Sequence, residues 1–235
     1  MDKNFAKVRL SAEEMRLVTD PAWILTKNSV MGKVVAMFAE FSERWREEAE
    51  ARRHADAGGE RGRLPGTLPP TEPKISKGEN YKGLPWVMLD YPRVFGREDV
   101  CAIRTMFWWG HAFSVTLHLK GEYMRVFLPV IRARRAELSA AGFLVAISDD
   151  EWAHEHTQET YGPLHEGERP FEGTVDLRSG SSVRGLAGQG EATERSWFKL
   201  SARCGLNRWE EAPELLTGWH GMLMRVLATG SDDHR

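Results

Sequence analysis

The densest concentration of groups able to do chemistry is Asp149-Asp150-Glu151-Trp152-Ala153-His154-Glu155-His156, which holds more carboxylates than the stretches around it. On a strand, an H-x-H pair points both imidazoles to one side, so His154 and His156, with Glu151 nearby, form the start of a metal site; on a helix the two rings diverge. The spacing is not H-E-x-x-H, and a third ligand would have to come from a distance, with His118 and His165 as the candidates. The competing reading is an acidic, solvated turn following a strand.

A second candidate is Lys74-Ile75-Ser76-Lys77-Gly78-Glu79-Asn80-Tyr81-Lys82-Gly83-Leu84-Pro85-Trp86. Lys74, Lys77 and Lys82 are placed to receive an anion that Asn80 and Tyr81 would orient. The glycine spacing is not that of a phosphate-binding P-loop, and no G-K-[ST] follows. Read structurally, the same run is a tight loop in which Gly78 and Gly83 take positive φ and Asn80 bonds its own backbone. Arg104, Trp108 and His118 form a third group. An arginine beside an aromatic face can bind a carboxylate or phosphate, or Arg104 can instead pair with Asp90 or Glu98. His111 falls on the apolar face, where a core histidine is the default. Arg132, Arg134 and Arg135 read as a solvated helix face. Cys101 and Cys204 have no C-x-x-C partner, and no serine lies in G-x-S-x-G.

These groups need a scaffold, and the hydrophobic pattern supplies one. Arg104 to Leu119 alternates: Phe107, Trp109, His111, Phe113, Val115, Leu117 and Leu119 mark a core face, while Arg104, Met106, Trp108, Gly110, Ala112, Ser114, Thr116 and His118 mark a mixed face. The pattern predicts two strands folded near Trp109-Gly110, or one bent strand, with the mixed face free for solvent or a ligand. Trp86 to Tyr91 is a strand ended by Pro92, and Phe143 to Ile147 and Trp197 to Ala202 are two more. Ser11 to Thr19 is a helix with a Ser11/Glu14 capping box, ended by Asp20-Pro21. A longer helix begins near Asn28 or Ser29 and buries Val30, Val34, Phe38, Phe41 and Trp45. Pro129 opens a helix closed by Gly142, with Glu122 to Phe127 either its extension or a strand. A last helix starts at Asn207 unless Pro213 delays it. Residues 51–73 and 162–196, rich in glycine and proline, read as flexible loops, the first unable to hold a helix. Strands without βαβ alternation between terminal helices give an α+β fold: one domain over 1–235, its mainly antiparallel sheet packed by N-terminal and C-terminal helices.

Composition narrows the classes. The 235 residues are 41% hydrophobic and 28% charged, with a formal charge of -2, so no concentrated positive field favours nucleic acid. No run is long and apolar enough for a membrane span or a signal sequence, and two cysteines suit a reducing, cytoplasmic setting. Nine tryptophans must be buried, line a pocket or form a homodimer surface.

The run K-I-S-x-G-E-N-Y-x-G-L-P, then L-D-Y-P-R, A-I-R-T-M-F-W-W-G and L-H-L-x-G, spanning Lys74 to Gly121, resembles a family of uncharacterised bacterial proteins, and more loosely so does Phe198-Lys199-Leu200 with the helix after it. The resemblance implies a bacterial cytoplasmic protein and carries no catalytic residue or cofactor with it. The leading expectation is a domain that binds a small anionic ligand or a partner through Lys74, Lys77, Asn80, Tyr81, Arg104, Trp108 and His118. The alternative is a metal-dependent enzyme using His154 and His156.

Overall fold

A computed structural model describes residues 9–56, 68–164, 183–184 and 194–229. The fold is α+β. Seven strands form one antiparallel sheet in the order β1 (Lys74–Tyr81), β2 (Leu84–Phe95), β3 (Val100–Trp108), β4 (Ala112–Lys120), β9 (Trp197–Gly205), β5 (Leu144–Ala146) and β6 (Tyr161–Pro163). A separate two-stranded ribbon pairs β7 (Val183–Arg184) with β8 (Glu194–Arg195). The helices are α1 (Ala12–Thr19), α2 (Pro21–Asp56), α3 (Gly121–Ala133), α4 (Arg135–Ala140) and α5 (Ala212–Thr229). Among the described residues, no helix is long and apolar enough to cross a membrane.

The alternation in β3 and β4 sorts the side chains as expected. Phe107, Phe113, Val115, Leu117 and Leu119 are buried on one face under α2, α3 and α5, with Phe38, Trp45, Phe127, Leu216 and Leu223 in the same core. Burying this many large apolar side chains, at about 1.5–3 kcal/mol each, drives the helices onto that face.

Several boundaries differ from the sequence expectation. The capping box at Ser11 and Glu14 is present, but α2 starts at Pro21 rather than near Asn28. Proline lacks only an N–H that the first turn does not use, and the Asp20 carboxylate accepts from the Ala22 N–H at 2.9 Å. At its other end α2 continues through 51–56, because Ala51, Arg52, Arg53 and Ala55 are good helix formers that precede the glycines. The remainder of that proposed loop up to residue 67, and most of 162–196, including His165, lie outside the described residues.

The expected basic loop is instead the edge strand β1, hairpinned to β2 through Lys82 and Gly83, both at positive φ. Asn80 Oδ1 accepts from the Gly83 N–H at 3.1 Å, the self-capping turn anticipated for it. Gly78 does not have positive φ. It faces Trp86 across the ladder, and a Cβ there would lie 2.6 Å from the indole, so close approach selects the glycine. β2 does not end at Pro92; it passes through a cis Tyr91–Pro92 bond and an irregularity between Asp90 and Arg93, and continues to Phe95.

His111 is not a core residue. Trp108 pairs with Ala112, which puts His111 in the connecting turn, where alternation lapses; it is exposed and stacks on Trp108. Pro129 lies inside α3 rather than at its start. The helix begins at Gly121, where the Asp99 carboxylate accepts from the Glu122 N–H at 2.7 Å, so Glu122 to Phe127 is helical. Asn207 is not an N-cap: it lies within a 3₁₀ turn, Leu206–Glu211, that follows Gly205 without a side-chain cap, and α5 starts at Ala212, placing Pro213 in its first turn.

Candidate functional site

The mixed face of the sheet is not open to solvent. Residues 147–160, between β5 and β6, fold across it and bring the two histidine groups of the sequence into one layer. Trp86, Met88 and Asp90 of β2, Arg104, Met106 and Trp108 of β3, Ser114, Thr116 and His118 of β4, and Lys199, Ser201 and Arg203 of β9 sit side by side in register on that face. The Asp149–His156 stretch is therefore not a solvated turn, and its contacts with the sheet are polar and specific.

Lys199 is the anchor. It is 2% exposed, and its ammonium donates to the backbone carbonyls of Glu151 at 3.0 Å and Ala153 at 2.7 Å. Burial lowers its pKa to about 8, with Arg104 adding repulsion, while Asp150, Glu151 and Glu155 oppose the shift. Lys120 donates to Glu151 Oε2 at 3.1 Å. His118 Nε2 lies 3.0 Å from Glu151 Oε1 but without the alignment of a hydrogen bond. Burial, then the charges of Lys199, Arg104 and Lys120, lowers the His118 pKa to about 3, so the ring is neutral near pH 7 and the contact is not an ion pair.

Further along the segment, Arg104 grips Asp90 with two hydrogen bonds, Nε to Oδ1 at 2.7 Å and Nη2 to Oδ2 at 3.0 Å. Its remaining Nη1 donates to His154 Nε2 at 3.2 Å. A guanidinium always donates, so the imidazole accepts and is neutral, in keeping with the large downward shift that burial and the nearby cations impose on it. Tyr81 OH donates to Glu155 Oε2 at 2.7 Å and accepts from the His154 N–H at 2.9 Å, and Lys82 pairs with Glu155. Burial acts against the Glu155 carboxylate, but the bonds from Lys82 and Tyr81 outweigh it and bring the pKa to about 2.

Beside these clasps, a cavity of about 100 Å³ remains between sheet and segment. Met106, Trp108, Ser114 and Arg203 line it from the strands, His154 to Thr157 from the segment, and His111 and Ala112 from the turn and start of β4. Two of its lining residues have a buried polar atom without a partner among the described residues: the indole Nε1 of Trp108, a residue 7% exposed, and Nε2 of His156. The His156 ring stacks on Tyr161, with centroids 4.4 Å apart. Burial, followed by the charges of Arg203 and Lys199, lowers its pKa to about 4.

Of the residues singled out from sequence, Tyr81, Arg104, Trp108, His118, His154 and His156 converge on this layer. Lys74, Lys77 and Asn80 are exposed on the edge hairpin. Among the described residues, no three His, Cys, Asp or Glu side chains gather in a way that could hold a metal ion, and His154 Nε2 already faces the Arg104 cation. Cys101 and Cys204 are buried, unbridged thiols. Sequence reasoning missed Lys199 and Arg203, whose signal was alternation: both fall on the polar phase of Trp197 to Gly205. No family model matches the chain, no similar curated protein is found, and no solved structure matches it.

Proposed function

We propose that the protein is a binding domain for a small anionic ligand, held in the cavity between the mixed face of the sheet and residues 147–160. One observation carries this reading: Arg203, an exposed cation, lines that cavity together with the buried ring of Trp108. Arg203 at the exposed side of the cavity adds a fixed positive charge, with a planar fork suited to a carboxylate or phosphate. Arg104 serves this site indirectly: its guanidinium is occupied by Asp90 and His154, so it positions the segment that forms the cavity's second wall.

The test is calorimetric titration, at low ionic strength, with acetate, propionate, glycolate, lactate and phosphate. Saturable binding of one of these, weakened at least tenfold by Arg203→Ala, is the expected result. No heat from any of them would overturn the reading.

A further inference from the structure

We infer that the helical arm over residues 9–30 is the contact surface for a second copy of this chain, paired about a twofold axis. Eight large apolar side chains are exposed among the described residues, and five of them fall in this arm: Leu10, Met15, Val18, Trp23 and Leu25, from 49% to 67% exposed. No residue of the arm is buried. The stripe by which α2 packs on the sheet begins only at Met31 and runs through Val34, Phe38, Phe41 and Trp45. Leu25, roughly two and a half helical turns before Val34, points away from the sheet.

The first helix, α1, turns its apolar face outward. Ala12, Met15 and Val18 recur three apart and share a side, and Leu10, just before the Ser11 cap, stands at hydrophobic-staple spacing from Met15. That side is open to solvent. Half-buried Leu17 lies on the other side, and its carbonyl accepts from Trp23 Nε1 at 2.9 Å, tying α1 to α2. A helix of eight residues is short of the roughly 12–15 at which isolated helices become even marginal in water, so it depends on packing of its apolar face. A cover over Met15 and Val18 supplies what its own chain does not.

Area and charge both favour a second copy as that cover. At about half to two-thirds exposure, the five side chains present about 500 Å² per copy, or about 1,000 Å² for a pair, the size at which a specific contact becomes sustainable. A twofold contact lays the same patch on itself and therefore requires a surface that does not repel its own kind. Between residues 9 and 27 the charges balance, Arg9, Arg16 and Lys27 against Glu13, Glu14 and Asp20. Arg16 pairs with Glu13 inside α1, and Lys27 with Glu79 of β1. The same balance denies the arm the cationic face by which amphipathic helices hold anionic lipid.

Sedimentation equilibrium of the full chain, from micromolar to hundreds of micromolar, tests this. A monomer–dimer equilibrium is expected, weakened at least tenfold in Met15→Lys/Val18→Lys, which sets like charges against each other across the axis. Because neither side chain is buried, the urea midpoint of the dilute variant should match that of the dilute wild type. Hydrogen exchange should slow in residues 12–25 as wild-type concentration rises. A monomer at every concentration, or a dimer that the double variant leaves intact, overturns the inference. A monomer that floats with phosphatidylserine vesicles overturns it too, and gives the face to a membrane.

Discussion

Lys199 Nζ donates to the carbonyl oxygen of Ala153 at 2.7 Å, joining the central strand β9 to a segment 46 residues earlier in the chain. A buried cation thus takes the place that an apolar contact would hold in an ordinary sheet-to-loop packing. Its partners are backbone carbonyls, so the bond fixes the path of the segment rather than the identity of its side chains.

Removing that cation tests how much it contributes. Lys199→Met keeps the length and apolar stem but leaves the Glu151 and Ala153 carbonyls unpaired. A loss of about 2–4 kcal/mol is expected from two such groups, read as a lower urea midpoint. Hydrogen exchange should accelerate in residues 147–160 and not in the helix-covered core.

Acid should loosen the same layer. His118, His154 and His156 all have folded-state pKa values below the ordinary 6.5, two of them at about 3 and about 4, with burial as the largest cause in each. Between those values and 6.5 the unfolded chain binds more protons than the folded one, so stability rises with pH across that window. It is fully present above about 6.5 and declines on acidification, by up to about 1.4 kcal/mol per pH unit for each group. Glu155, lowered to about 2, adds a further loss below its ordinary 4.5. Urea midpoints at pH 7, 6 and 5 should fall in that order, and His118→Phe should flatten the slope.

The Asp90–Arg104 pair gives a sharper test of the sheet face. Arg104→Ala leaves the Asp90 carboxylate buried without its cation and should cost about 3–5 kcal/mol. The double variant Asp90→Leu/Arg104→Met should recover most of that loss, since well-packed apolar residues commonly replace a buried pair at little cost. Chemical denaturation of the two variants decides it; a double variant as unstable as Arg104→Ala would contradict this account of the pair.

Much of this was legible in the sequence because it follows from local periodicity. The alternation from Arg104 to Leu119 assigned Phe107, Phe113 and Leu117 to the core and Trp108 and His118 to the other face, and the Ser11/Glu14 cap placed the first helix. Contacts between distant segments were not legible in the same way. His154 and His156 read as a solvated turn because nothing local to them indicates Arg104, 50 residues away, or Lys199. Proline misled twice for a local reason: Pro21 and Pro92 read as breaks, whereas a helix N-terminus and a strand irregularity accommodate them.

Trp108→Phe separates stability from binding. The indole N–H has no partner among the described residues, so its removal forfeits no hydrogen bond to them, and the ring can still pack against Tyr81 and His111. Thermal unfolding should show a change within about 1 kcal/mol of wild type. A loss of several kcal/mol would mean that the N–H is engaged within the protein.

The most direct measurement is the indole N–H resonance of Trp108 in a ¹H–¹⁵N spectrum, identified among those of nine tryptophans by its disappearance in Trp108→Phe. Titration with the acid that binds should move that resonance in a saturable manner as the surroundings of the Trp108 ring change, with the other tryptophans shifting far less. A Trp108 signal that stays in place while lactate, glycolate, acetate and propionate are each raised well into the millimolar range would contradict the proposed site.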